Sequence, residues 1–156
     1  MEYQTGVKKK EDISVKTLLE TPEGTEVKLE GAVHIIRDMG EVAFVVLRTR
    51  DGLVQTVYEE GTTTPELKEL CEEAAVTVKG TVALEERAPQ GFEIRAVSFE
   101  ILSKPVEPMP IAINKWKMNT SLETKLDLRP LSLRNVKERA KFRVQEGIVR
   151  GFRDYL

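Results

Sequence analysis

One histidine, His34, and one cysteine, Cys71, are all that 156 residues offer for nucleophilic, redox or zinc chemistry. Zinc sites draw most of their ligands from cysteine and histidine, so one of each argues against a site built within the chain. A single cysteine also excludes an internal disulfide. A Ser-His-Asp or Cys-His catalyst would have to use His34, and nothing near it in sequence is arranged for that. Paired acids occur at Glu59-Glu60 and Glu85-Glu86. Neighbours on a strand point to opposite faces, so these read as solvated edges and not as acid/base dyads. No glycine-rich phosphate loop of the G-x-G-x-x-G or G-x-x-x-x-G-K kind is present. The chemistry left is recognition. On the segment Glu41–Arg50, Val42, Phe44, Val46, Arg48 and Arg50 share one parity, and Ala43, Val45 and Leu47 the other. An aromatic in phase with two arginines suits stacking on a base beside phosphates. The alternative for Phe44 is a core position on the second face. Gln55, among short polar neighbours, has the reach to meet a base edge, or is an ordinary exposed glutamine.

The elements that position these residues are mostly β. After a helical turn at residues 12–20, with Asp12 or Ser14 as cap, TPEG at 21–24 turns the chain. Val27, Leu29, Val33 and Ile35 alternate in a first strand, Val27–Arg37. Asp38-Met39-Gly40 leads to the second strand, and Asp51-Gly52 is a hairpin signal before the third, Leu53–Tyr58. Pro65–Glu73 is predicted as a helix capped by Thr64. Ala75–Leu84 and Phe92–Leu102 complete five strands. The order β-β-β-α-β-β predicts a five-stranded Greek-key barrel, the OB-fold, with one helix between strands three and four.

Beyond the barrel, residues 104–119 carry three prolines in six positions and read as an extended hinge. Trp116 within it is expected to pack on the barrel or on a neighbouring domain. Asn135–Leu156 reads as an amphipathic helix, with Val136, Ala140, Val144, Ile148 and Phe152 at i+4 spacing. The expected organisation is a barrel domain over 1–103, a linker over 104–133 and a helix over 134–156. Charge divides likewise: residues 1–128 carry −7 and residues 129–156 carry +5. That polarity marks either a nucleic-acid or partner surface, or a solvated helix. No apolar run approaches the ~20 residues of a membrane helix. The Lys8-Lys9-Lys10 run has no apolar stretch after it and is not a secretory signal.

Three segments together carry a resemblance. GAVHIIRDMGEVAFVVLRTRDGLVQTV at 31–57 resembles the anticodon-binding barrel of the aspartyl-tRNA synthetases and their asparaginyl and lysyl relatives. Gly31, Val33, Arg37, Asp38, Gly40, Phe44, Leu47, Arg48, Gly52 and Gln55 match the family pattern. Ala32 stands in place of its tryptophan, and Thr49 in place of an aspartate. VKGTVALEERAPQGFEI at 78–94 is similar to an archaeal-type family segment, and TKLDLRPLSLRNVKERAKFRVQ at 124–145 to the join between hinge and aminoacylation domain.

The resemblance implies a transfer-RNA partner. Phe44 would stack on the middle anticodon base, uracil, and Gln55 would bond its edge. Arg37 would contact the anticodon loop, and His34, earlier on the same strand, would approach the first base. Glu93 would lie near the third base. A carboxylate accepts from cytosine's amine and not from uracil's carbonyl, so Glu93 favours aspartate anticodons, which end in C. A salt-bridged surface glutamate is the alternative. The loop-lining residues are less basic than a phosphate-tracking groove requires, so the barrel alone should bind modestly. On this reading the chain is a piece of a cytoplasmic, homodimeric aspartate-tRNA ligase. It catalyses nothing itself and needs no metal or cofactor, because ATP and magnesium belong to an aminoacylation domain of which only the first helix is present. A fragment of an asparaginyl or lysyl enzyme, a free-standing single-strand-binding OB module and a synthetase-like paralogue that does not charge transfer RNA are the rivals.

Overall fold

A computed structural model describes residues 13–156, so the Asp12 cap lies outside the described residues. The chain forms two compact units, divided between Pro105 and Val106. The first begins with helix α1, Val15–Leu19, whose cap is Ser14: its hydroxyl accepts from the Thr17 N–H. Leu18 is buried there, with Ile13 and Val15 packed against the barrel core. Strands β1 (Glu26–Asp38), β2 (Val42–Arg48), β3 (Leu53–Glu59), β4 (Ala75–Leu84) and β5 (Phe92–Ser103) follow. They close in the order β1-β2-β3-β5-β4. Every pairing is antiparallel except that of β3 with β5, which is parallel. This is the predicted OB barrel, with strand ends within two residues of those expected.

Closure decides which parity goes inward. Ala43, Val45 and Leu47 of β2 are fully buried and meet Val54, Val76, Val78 and Ile94 in one core. Thr56 lies among them, and its hydroxyl donates to the Val45 carbonyl at 2.7 Å, which makes a buried polar side chain tolerable. Gly80 sits at a register shift between β4 and β5. A Cβ there would stand 2.2 Å from the Arg95 carbonyl oxygen, so no larger residue fits that crossing.

The helix expected over 65–73 is instead one 3-10 turn, Leu67–Glu69. Both ends of the segment are committed to the sheet. The Thr64 N–H donates to Val97 and its carbonyl accepts from the Phe99 N–H at 2.7 Å, so Thr64 extends a ladder and caps nothing. At the far end the Glu73 N–H donates to the Val33 carbonyl at 2.7 Å. The residues between must also bury Leu70 and carry the Pro65 carbonyl to the Tyr58 hydroxyl at 3.0 Å. That leaves too little chain for a regular helix.

The second unit is more than a hinge. Helices α2 (Leu122–Asp127), α3 (Arg129–Ser132) and α4 (Val136–Tyr155) follow an irregular run. Ile111, Ile113 and Met118 are buried, with Met109, Leu128 and Leu131 packed on them. Glu138 holds both Lys125 (2.9 Å) and Lys141 (2.6 Å), and those two ammonium groups draw its carboxyl below the usual range. Along α4 the predicted stripe is exposed at Val144, Ile148 and Phe152. Trp116, expected to pack on the barrel or on a neighbouring domain, is 74% exposed in this chain, while Ile113 and Met118 near it are buried. Among the described residues no helix is long and apolar enough to cross a membrane.

Candidate nucleic-acid interface

The outer face of β1, β2 and β3 brings together residues far apart in sequence. With Ala43, Val45 and Leu47 inward, Phe44, Val46 and Arg48 must face outward. The register then builds two rows. Arg37 opposes Phe44, Phe44 opposes Val57, and Val57 lies beside Arg95 of β5. Phe44 is half-buried, while Arg37 and Arg95 are exposed. The next row runs from Ile35 through Val46 to Gln55. The parallel pairing of β3 with β5 continues it to Glu93, and the Gln55 Nε2 donates to Glu93 Oε2 at 3.2 Å. A carboxylate only accepts, so the amide nitrogen is the end of Gln55 turned toward it. Four of the five residues singled out in the sequence (Arg37, Phe44, Gln55 and Glu93) therefore occupy adjacent positions on one face. Arg95, which completes the Phe44 row, was missed. Its parity with Glu93 on β5 was the available signal, but only the β3 register says which face that parity takes.

His34 is placed differently. It sits at the register shift of β1, between Val33 and Ile35, and is buried. Its Nδ1 lies 3.3 Å from a guanidinium nitrogen of Arg48. That guanidinium is held by both carboxylate oxygens of Glu73, at 2.6 and 2.7 Å. Burial, and then the positive charge of Arg48, pull the His34 pKa below its ordinary 6.5, against the opposing charge of Glu73. A neutral ring accepting from Arg48 at Nδ1 keeps its proton at Nε2. Arg48, outward by parity as expected, is thus not an open phosphate contact. It fastens the segment before β4 to one end of the face. Glu73 makes this possible through a left-handed backbone, φ 67°, that turns its side chain back over the strands.

What the face can do follows from these groups. A half-exposed ring offers a stacking surface, and a glutamine beside a carboxylate offers edge donors and acceptors side by side. Arginines flank the ring on both sides of its row. Among the described residues no group of three or more His, Cys, Asp or Glu is placed to hold a metal ion.

Residues 27–102 match the tRNA anticodon family, described as an OB-fold nucleic acid binding domain. Over those residues the chain carries the OB-fold domain of this family. It is 41% identical over 133 residues to an aspartate–tRNA(Asp/Asn) ligase of Thermus thermophilus, a match covering 85% of this chain and 30% of that protein. The corresponding enzyme of Methanococcus vannielii is 36% identical over 135 residues, covering 84% and 31%. The asparaginyl-tRNA synthetase structure from Pyrococcus horikoshii superposes with a TM-score of 0.80 at 29% identity, over 94% of this chain and 35% of that one. The chain thus spans about a third of the length of the proteins it matches.

Proposed function

We propose that the outer face of the barrel reads the anticodon of a transfer RNA, as one part of a longer aspartate-tRNA ligase. The observation that carries this is the juxtaposition of Phe44, Gln55 and Glu93 on one face, with Arg37 and Arg95 on the flanks of the Phe44 row. Phe44 stacks on the middle base, uracil. Gln55 bonds that base's edge, and Glu93 accepts from the amine of a cytosine at the third position. Arg37 and Arg95 meet backbone phosphates, which set register and carry no sequence information. The longer enzyme would use ATP and magnesium, in a domain outside this chain, to activate aspartate and join it to the transfer RNA. It would act as a homodimer in the cytoplasm.

A second reading concerns which anticodons are accepted. The relatives' names carry both Asp and Asn, and the Pyrococcus structure is an asparaginyl enzyme. The two anticodon sets differ at the third base, the one this reading assigns to Glu93. One experiment serves both readings. Wild type and the variants Phe44→Ala, Gln55→Ala and Glu93→Gln are titrated with stem-loops bearing GUC, GUU and a scrambled triplet. Stacking is worth about 1–3 kcal/mol per base, so Phe44→Ala should weaken GUC binding roughly ten- to hundredfold with the fold intact. Gln55→Ala should cost less and relax the demand for uracil in the middle. Glu93→Gln should narrow the gap between GUC and GUU. If wild type does not separate GUC from the scrambled loop, the anticodon reading is refuted. If it separates them but binds GUC and GUU alike, the domain serves both transfer RNAs.

A further inference from the structure

The second unit holds a feature that the anticodon reading does not use. Trp116 is the chain's one tryptophan and is 74% exposed, although its neighbours Ile113 and Met118 are buried. The backbone on either side of it is held in place. The buried Asn135 side chain donates from Nδ2 to the carbonyls of Ile113 (2.9 Å) and Lys115 (2.7 Å). Its Oδ1 accepts from the N–H groups of Lys137 and Glu138, capping α4. One side chain thus pins the Trp116 loop to the first turn of α4. It also brings the Lys137 ammonium to 5.6 Å from the centre of the indole ring. Lys115 and Lys117 flank the tryptophan and are exposed. Glu138, next to Lys137, is held by Lys125 and Lys141.

A large aromatic held outward by a fixed loop and framed by three lysines is the arrangement that grips unpaired nucleotides: the ring stacks on a base and the ammonium groups meet the phosphates beside it. We infer that Trp116, with Lys115, Lys117 and Lys137, is a second RNA contact, taking an unpaired base of the bound transfer RNA outside the anticodon loop. The inference rests on the reading that this chain binds transfer RNA. The occupant is RNA and not an apolar protein surface, because the frame around the ring is cationic.

The one tryptophan makes the test direct, because its fluorescence reports this site and no other. The full chain is titrated with an intact aspartate transfer-RNA transcript and with the isolated GUC stem-loop. The intact transcript should quench Trp116 in a salt-sensitive way, and the stem-loop should leave it unchanged. Trp116→Ala should weaken binding of the intact transcript about five- to tenfold, leave the stem-loop affinity as it is, and be largely rescued by Trp116→Phe. The pair Lys115→Gln/Lys117→Gln should flatten the salt dependence for the transcript alone. Phe44→Ala should weaken both ligands. If the transcript binds without quenching and Trp116→Ala binds it as tightly as wild type, the inference is overturned, and the ring serves a protein surface instead. Quenching by the stem-loop alone also overturns it, because the site would then belong to the anticodon contact. If Phe44→Ala leaves stem-loop binding unchanged while the transcript still quenches Trp116, the anticodon reading fails and the second contact stands.

Discussion

The pair formed by Arg48 and Glu73 should behave as one coupled unit, and the structure sets the size of the effect. Their side chains are 11% and 4% exposed, and two bonds of 2.6 and 2.7 Å join them. Removing one member leaves a buried charge without its partner, which costs about 3–5 kcal/mol; removing both for apolar residues of similar volume is often close to neutral. Arg48→Met also strips the Nδ1 of His34 of its partner. We expect Arg48→Met and Glu73→Met each to destabilise the barrel by roughly 3 kcal/mol, a large share of the 5–15 kcal/mol that holds an ordinary domain together. In a domain this small that corresponds to a fall of about 12–24 °C in the melting midpoint. Unbranched methionine accommodates the unusual backbone at position 73 better than a β-branched residue would. The double variant should recover to within about 1–2 kcal/mol of wild type. The assay is thermal and urea unfolding of the full chain followed by far-ultraviolet circular dichroism. Trp116 fluorescence is left out, because that residue lies in the other unit. If the two single costs add in the double variant to within about 0.5 kcal/mol, the groups are not coupled and the argument is wrong.

Two further outcomes follow from named contacts. His34 is buried with its pKa held below 6.5, so the unfolded chain binds a proton more readily than the folded one. The stabilisation is therefore complete above pH 6.5 and is lost as pH falls from there toward the folded-state pKa, at up to about 1.4 kcal/mol per pH unit; His34→Gln should flatten that slope in urea titrations between pH 7.5 and 5.5, and an equal slope in both proteins would contradict it. Gly80→Ala forces a Cβ to 2.2 Å from the Arg95 carbonyl and should destabilise the barrel by about 1–3 kcal/mol or more, whereas Gly147→Ala, with nothing within 4 Å on α4, should stabilise that helix by about 0.5–1 kcal/mol; melts of the two variants that shift in the same direction would refute the comparison.

Much of this was legible in the sequence, for physical reasons that also explain what was not. Alternation such as Val27, Leu29 and Val33, and the hairpin at Asp51-Gly52, are local signals, so strand ends fell within two residues of those observed. The parity of β2 was equally local, and it put Phe44 outward and Leu47 inward. The segment 65–73 misled because its composition favours a helix, while its backbone donors and acceptors are claimed at both ends by strands more than thirty residues away. The same kind of distance hid the environment of His34. A residue 14 positions on and another 39 positions on close over it, and the glutamate that completes the cluster lies on the segment whose shape was mispredicted. The linker was read as extended from its prolines, which describe 105–110 but say nothing of how Ile111, Ile113 and Met118 gather a small core with α2 and α3.

The short parallel contact between β3 and β5 has the largest consequence for recognition. It spans only two residue pairs, yet it sets Gln55 beside Glu93 across 38 positions of sequence. The two residues assigned to different anticodon bases are then one bonded pair. Glu93 draws the amide nitrogen of Gln55 toward itself, which leaves the amide oxygen as the acceptor directed elsewhere. Uracil offers an N3–H donor on its pairing edge, where cytosine has an acceptor, so this orientation of the amide prefers uracil. On the proposed reading Glu93 would serve recognition twice: directly, by its own acceptor oxygens, and indirectly, by holding the neighbouring amide in the orientation suited to the middle base. A glutamine at 93 presents a donor as well as an acceptor and no longer fixes which end of Gln55 faces it. If the anticodon proposal holds, Glu93→Gln should therefore loosen both preferences together, and a variant that narrows the gap between GUC and GUU while keeping the full demand for uracil in the middle would refute this coupling.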